Sequence, residues 1–273
     1  MPKSLEELQV IAKRVRREIV EMIGAAGSGH PGGSLSAVEI VVELYFNTMH
    51  IDPKNPKWPQ RDRFILSKGH AAPVLYAVMA EAGYADTPLD KLNTLRKMGS
   101  MYQGHPDMRF IPSLEASTGS LGLGLSLAIG MGIAARLDGS PSRAYCMLGD
   151  GESQEGEVWE SAMAAPFHKL DNVCCIVDYN GIQLDGFVKD IMDVAPLADK
   201  WRAFGWHVIE LDGNDPAAVR AAFEEAAATK GKPTCLVAHT IKGKGVSFME
   251  NNPKFHGTAP TPAEVKLALQ ELQ

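Results

Sequence analysis

No two cysteines of this chain stand in a Cys-x-x-Cys spacing. Cys146, Cys174, Cys175 and Cys235 are the full complement. Three of them fall in apolar runs, so they read as small buried hydrophobes rather than zinc ligands or a disulfide framework. A basic stripe is missing as well. The 27 Lys and Arg against 33 Asp and Glu leave a net charge of −6, and the cations are scattered, which argues against a nucleic-acid partner. No apolar run suffices to span a bilayer. The longest weakly polar stretch, Leu121–Ala135, is broken by Gly122, Gly124, Gly130 and Gly132 and reads as a tightly packed buried helix. Met1–Glu7 carries neither an apolar core nor a cleavage site, so no signal peptide is expected and a cytoplasmic setting fits. Lys242-Gly-Lys-Gly lacks the P-loop pattern, Gly24–Gly29 lacks the dinucleotide fingerprint, and neither HExxH nor GxSxG occurs.

What is present is alternation. Leu5, Leu8, Ala12, Val15, Ile19, Met22 and Ile23 recur at helical spacing, and Ser4 with Glu7 forms a capping box ahead of them. Ser36 with Glu39 predicts a second box and a helix through Leu44 and Phe46, with Gly24–Gly33 as the loop between. Downstream, β-rich runs are expected at Phe64–Leu66, Ala144–Leu148, Val173–Asp178, His207–Leu211 and Cys235–Ala238. Helical patterns occupy Ala72–Ala82, Leu121–Arg136, Gly156–Leu170, Pro196–Phe204 and Pro216–Lys230, and Thr261 with Glu264 caps a last helix. The 273 residues therefore read as one α/β domain, residues 1–273, with a mostly parallel sheet flanked by helices on both faces. In such sheets ligands bind beyond the carboxyl ends of the strands. That directs attention to Ser67–Ala71, Gly149–Gly156, Tyr179–Gly186 and His239–His256.

Gly149-Asp150-Gly151 places a carboxylate between two glycines at a strand end, where backbone amides can crowd a phosphate while the carboxylate faces a cation. Alone it is a turn as readily as a site. About thirty residues on, Asn180-Gly181-Ile182 follows a second strand, and an Asn oxygen with a nearby carbonyl is a hard-oxygen ligand set. Asp150, the Asn180 oxygen and that carbonyl would leave diphosphate oxygens and water to complete the octahedron of Mg²⁺. The same oxygens also suit Ca²⁺ or Mn²⁺. The two segments together form the thiamine-diphosphate signature, far more specific than either piece.

Asp62-Arg-Phe-Ile-Leu-Ser-Lys-Gly-His70, Gln103-Gly-His-Pro106, Thr118-Gly-Ser-Leu-Gly-Leu-Gly124 and Gly149-Asp-Gly-Glu-Ser-Gln-Glu-Gly156 resemble, in order, the motifs of the transketolases. Ser28-Gly-His-Pro-Gly32, Lys242-Gly-Lys-Gly245 and His256-Gly257 extend the resemblance over nearly the whole chain. It implies a split transketolase, of which this chain is the N-terminal, cofactor-binding half. By that resemblance His70, Gly119, Ser120, Leu121, Gly151 and Asn180 contact thiamine diphosphate, and Asp150, Asn180 and Ile182 hold the metal. His30, His105 and His256 line the channel to the thiazolium carbon, His256 also lying near the diphosphate. Glu155 is similar to the carboxylate that couples two active sites across a dimer. His50, His168, His207 and His239 match no motif and read as structural.

The expected reaction moves a two-carbon ketol unit from a ketose phosphate to an aldose phosphate. The pyrimidine-binding and C-terminal domains of full-length transketolases have no counterpart motifs here. The resemblance therefore implies a partner subunit carrying them, with the activating glutamate and the substrate-phosphate grip, in a heterotetramer. The segment from Lys242 to His256 is shorter than in the full-length enzymes. It resembles split subunits and also deoxyxylulose-phosphate synthases, which leaves a synthase-like subunit, or a non-catalytic cofactor-binding subunit, as the alternatives.

Overall fold

The computed structural model describes residues 2–273. Its centre is a five-stranded parallel sheet made of β1 Arg63–Leu66, β2 Ala144–Gly149, β3 Val173–Tyr179, β6 His207–Asp212 and β7 Thr234–His239, in the order β1–β2–β3–β7–β6. A small antiparallel ribbon, β4 Ile182–Gln183 with β5 Gly186–Phe187, follows β3 and leads into the short α7 Val188–Ile191. Parallel strands need crossovers, and helices supply them.

Alternate residues of each strand enter two different cores. Tyr145, Met147, Cys174, Ile176 and Leu236 pack under α1 Leu5–Ala26, α3 Val38–Glu43, α4 Ala72–Ala82 and α9 Pro216–Ala228. Cys146, Leu148, Cys175, Val177 and Val237 pack under α5 Leu123–Leu137, α6 Gly156–Phe167 and α8 Leu197–Ala203. The central strands, covered on both faces, have no polar face, which is why they read as continuous apolar runs, whereas the edge strand β6 is only partly buried. The four cysteines are buried and free. No helix among the described residues is long and apolar enough to cross a membrane.

The capping boxes at Ser4/Glu7 and at Thr261/Glu264, which opens α10 Pro262–Glu271, form as expected. The one expected at Ser36 does not. α1 runs on to Ala26 and the short α2, Pro31–Leu35, follows, so the loop between them shrinks to four residues, and α3 is capped by Ala37 with no side-chain bond. Ser36 Oγ instead donates to buried Asp178, at 2.7 Å, because a fully buried carboxylate is the more demanding acceptor. The reading of residues 121–135 as a buried helix also needs correction. α5 buries Leu125, Ala128 and Ile129 but leaves Leu123 and Leu127 about half exposed. Only two of its glycines lie on the close-packed face: a Cβ on Gly124 would lie 2.4 Å from Ser67 Oγ and one on Gly132 2.5 Å from Val173, whereas one on Gly130 would meet nothing.

Between α1 and α4, burial first and then the neighbouring Glu81 push Glu18 up to about 9, while Arg14 binds Glu81 at 2.5 Å. Glu18 is therefore protonated at neutral pH in the folded chain but ionised in the unfolded one. Its folded pKa is raised, so the stability it contributes is full at low pH and is lost as pH rises from its ordinary range towards about 9. Glu18→Gln, which copies the protonated form, is expected to raise the melting temperature at pH near 8. The gain shrinks at acid pH, with roughly 2–4 °C for each kcal/mol recovered. Thermal melts across pH check this; a gain independent of pH would refute the protonated assignment.

Candidate active site

Gly149, the last residue of β2, pairs with Asp178 of β3. The two chains leave the sheet side by side, which brings Asp150 and Asn180 together at its carboxyl edge. Asp150 is buried, and its carboxylate accepts the amides of Gly151, at 2.7 Å, and of Gly181. Gly181, at φ 77°, can turn its amide back because it has no Cβ. Burial pushes Asp150 up to about 6, against the opposing pull of Lys242.

The Asn180 amide is oriented from behind. Its Nδ2 donates to Asp178 at 2.8 Å, which leaves Oδ1 towards the cavity, where the Ile182 amide donates to it at 3.1 Å. Asp178 is fully buried and also receives Lys68 Nζ at 2.5 Å, Ser36 Oγ and Thr240 Oγ1. Burial alone would raise its pKa, but Lys68 and these donors hold it below the ordinary value. A fixed anion thus sets which face of the amide looks outward.

These groups open onto a cavity of about 350 Å³. His30, His70, Gly119, Leu121, Asp150, Gly151, Glu155, Asn180, Ile182 and His256 line it, and so contribute ten of the predicted residues. His30, His70 and His256 form one cluster, with ring centroids 5.1, 5.8 and 5.2 Å apart. Burial lowers all three, His30 to about 4 and His256 to about 3. At neutral pH they are uncharged imidazoles, able to bind hydroxyls without repelling a metal. His105 and Ser120 do not line the cavity. The exposed His105 ring backs Gly119, whose added Cβ would lie 3.2 Å from it, and Ser120 is exposed beside that turn.

Sequence reasoning missed two residues. Lys242, buried, places Nζ 2.6 Å from the Ile182 carbonyl and 3.3 Å from Asn180 Oδ1, two of the three expected metal ligands. Burial first lowers it to about 8. Glu152, buried too, accepts from Ser67 Oγ, from the Gly122 amide at 2.9 Å and from the Gly149 amide at 3.0 Å. It ties the ends of β1 and β2 to the turn before α5. Both residues lie inside recognised motifs, but burial and partners, which a linear pattern does not carry, define their roles. Gly124→Ala, which drives a methyl into Ser67, is expected to cost about 1–3 kcal/mol in urea unfolding. An unchanged midpoint would mean this joint can give.

The residues present fit a metal–diphosphate pair. One carboxylate, one amide oxygen and one carbonyl are all hard oxygens, and they leave octahedral positions for ligand oxygens. No group of three His, Cys, Asp or Glu able to hold a metal occurs among the described residues, and the proposed set joins a single carboxylate to an amide and a carbonyl oxygen. His256 Nδ1 is buried without a partner, as a polar atom awaiting one would be.

A parallel α/β sheet with this cluster at its carboxyl edge defines a class of diphosphate-cofactor proteins. The chain matches the model of the transketolase thiamine diphosphate binding domain over residues 8–272, and it belongs to that family. It is 46% identical over 267 residues to the 6-deoxy-6-sulfo-D-fructose transketolase subunit SqwG of Clostridium sp. (strain MSTE9), covering 98% of this chain and 96% of that protein. Against an apulose-4-phosphate transketolase subunit of Actinobacillus succinogenes it is 45% identical, with 99% and 97% covered. Among solved structures, the transketolase of Campylobacter jejuni superposes with a TM-score of 0.93 at 32% identity, over 99% of this chain and 43% of that one.

Proposed function

We propose that residues 1–273 form a single domain that acts as the cofactor-binding subunit of a two-chain, cytoplasmic transketolase. The alignment of Asp150, Asn180 and the Ile182 carbonyl at the end of two paired strands carries this reading. Whole-length similarity to proteins named as transketolase subunits supports the two-chain form.

In this reading Asp150, Asn180 and Ile182 hold Mg²⁺, and Gly151, Gly119, Ser120, Leu121 and His70 receive the diphosphate and thiazolium parts of the cofactor. Lys242 adds a cation for the diphosphate. Bound thiamine diphosphate supplies a carbanion sink for the two-carbon fragment. The chain's own residues position and shield. His30 and His256 bind sugar hydroxyls or the carbonyl oxygen from inside the cavity, and His105 does so from its rim. Glu155, exposed at the cavity edge, would meet its counterpart across the assembly.

The partner covers the open side. Leu123 and Leu127 on α5, Met163 and Phe167 on α6, and Leu184 beside the cavity are all exposed. Exposed apolar side chains on the two helices, with Leu184 at the cavity, support an interface here. The companion is a C-terminal transketolase subunit with the pyrimidine-binding and C-terminal domains, in a heterotetramer, and the substrates are a ketose phosphate and an aldose phosphate. The test is reconstitution of ketol transfer from the two purified chains.

A further inference from the structure

Arg96 sits in the loop that leads to His105, and its backbone is left-handed, at φ 59°. Outside glycine such a conformation costs free energy and is worth tracing to a cause. The strain aims the side chain. Its Nη2 lies 3.3 Å from His30 Nδ1, and that is its only side-chain hydrogen bond among the described residues. The guanidinium rests on Gly104: a Cβ there would stand 3.1 Å from Nε and 3.3 Å from Cζ and Nη2. A residue without a side chain leaves room for the guanidinium where it reaches the ring.

Guanidinium is a donor only. A bond from Nη2 to Nδ1 therefore requires the lone pair of His30 on Nδ1 and its proton on Nε2. We propose that Arg96 is a positioning residue that fixes His30 as the Nε2–H tautomer, which makes it a standing hydrogen-bond donor to substrate oxygen and not a base. This deepens the transketolase reading and rests on it for the identity of the substrate. The surroundings favour the same state. Besides Arg96, the groups around His30 are the rings of His70 and His256, packed against it, together with His105 and Lys242. None is a carboxylate that would stabilise an imidazolium.

The experiment is ¹⁵N spectroscopy of the full chain labelled at histidine, free and mixed with its companion, the His30 signals being assigned with His30→Gln. In the native chain Nδ1 reads as unprotonated and Nε2 as protonated throughout the range in which an ordinary histidine titrates. Arg96→Met yields a tautomer mixture and raises the titration midpoint by about one pH unit. Arg96→Lys, which keeps a donor, restores the single tautomer in part. Gly104→Ala displaces the guanidinium without removing its charge and gives an intermediate spectrum. In the reconstituted assay Arg96→Met lowers kcat about tenfold with KM for either sugar phosphate nearly unchanged. An unaltered His30 spectrum in Arg96→Met overturns the proposal. So does a raised KM at constant kcat, which would make Arg96 a contact for the anionic end of the substrate. If the native mixture shows no ketol transfer, the functional reading fails while the ring spectra still decide the role of Arg96.

Discussion

Asp150→Ala is expected to weaken Mg²⁺-dependent binding of thiamine diphosphate by at least about 100-fold, because it removes the one charged ligand of the cation. The carboxylate does two jobs that alanine abolishes together. In the proposed site it would face the ion, and it receives the amides of Gly151 and Gly181, which shape the two loops. Asp150→Asn separates them, since its oxygen still accepts an amide while the charge is gone. Calorimetry at fixed Mg²⁺ is expected to rank native well above Asn, and Asn above Ala. Undiminished binding in the alanine variant would remove Asp150 from the metal site and with it the octahedral argument.

The second large effect is catalytic. Supplied with thiamine diphosphate and Mg²⁺, this chain alone is expected to turn over ketose phosphates about 10²–10⁴-fold more slowly than the same chain mixed with its companion. The reason is the inventory of groups. The cavity offers imidazoles held neutral by burial, a buried lysine and the oxygens that the proposed cation would take. Among the described residues, the only carboxylates on its walls are Asp150, Glu152 and Glu155. Asp150 would face the proposed metal, Glu152 already accepts two amides and a hydroxyl, and Glu155 lies at the rim. None is free to activate the cofactor ring, so that role falls to the other chain. Brisk ketol transfer by the purified chain with coenzyme and salt alone would end this reading. Formation of deoxyxylulose phosphate from pyruvate by the mixture would instead favour the synthase-like one.

The sheet was legible because its strands obey a simple rule. Strands buried on both faces are continuous apolar runs, and the expected Ala144–Leu148 and Val173–Asp178 each lie one residue short of the observed ends. The Asp150–Asn180 pair was legible for the same reason, since both follow strand ends that turn out to be hydrogen-bonded neighbours. Other features were hidden. Ser36 looks like a helix cap until Asp178, distant in sequence, claims its hydroxyl. Lys242 looks like part of a glycine-rich turn until burial presses its ammonium onto Ile182 and Asn180. Arg96 carried no pattern, because a left-handed backbone at a non-glycine residue leaves no mark in a one-dimensional string. In each case a long-range partner decided the outcome against the local preference.

The uncovered flank of α5 and α6 has a consequence for supply. Phe167 is more than four-fifths exposed and Met163 more than half, so a cell that made this polypeptide in excess would release oily surplus prone to clumping. Balanced synthesis of both halves, from adjacent reading frames or by shared translation, would keep that surface hidden from the moment it forms.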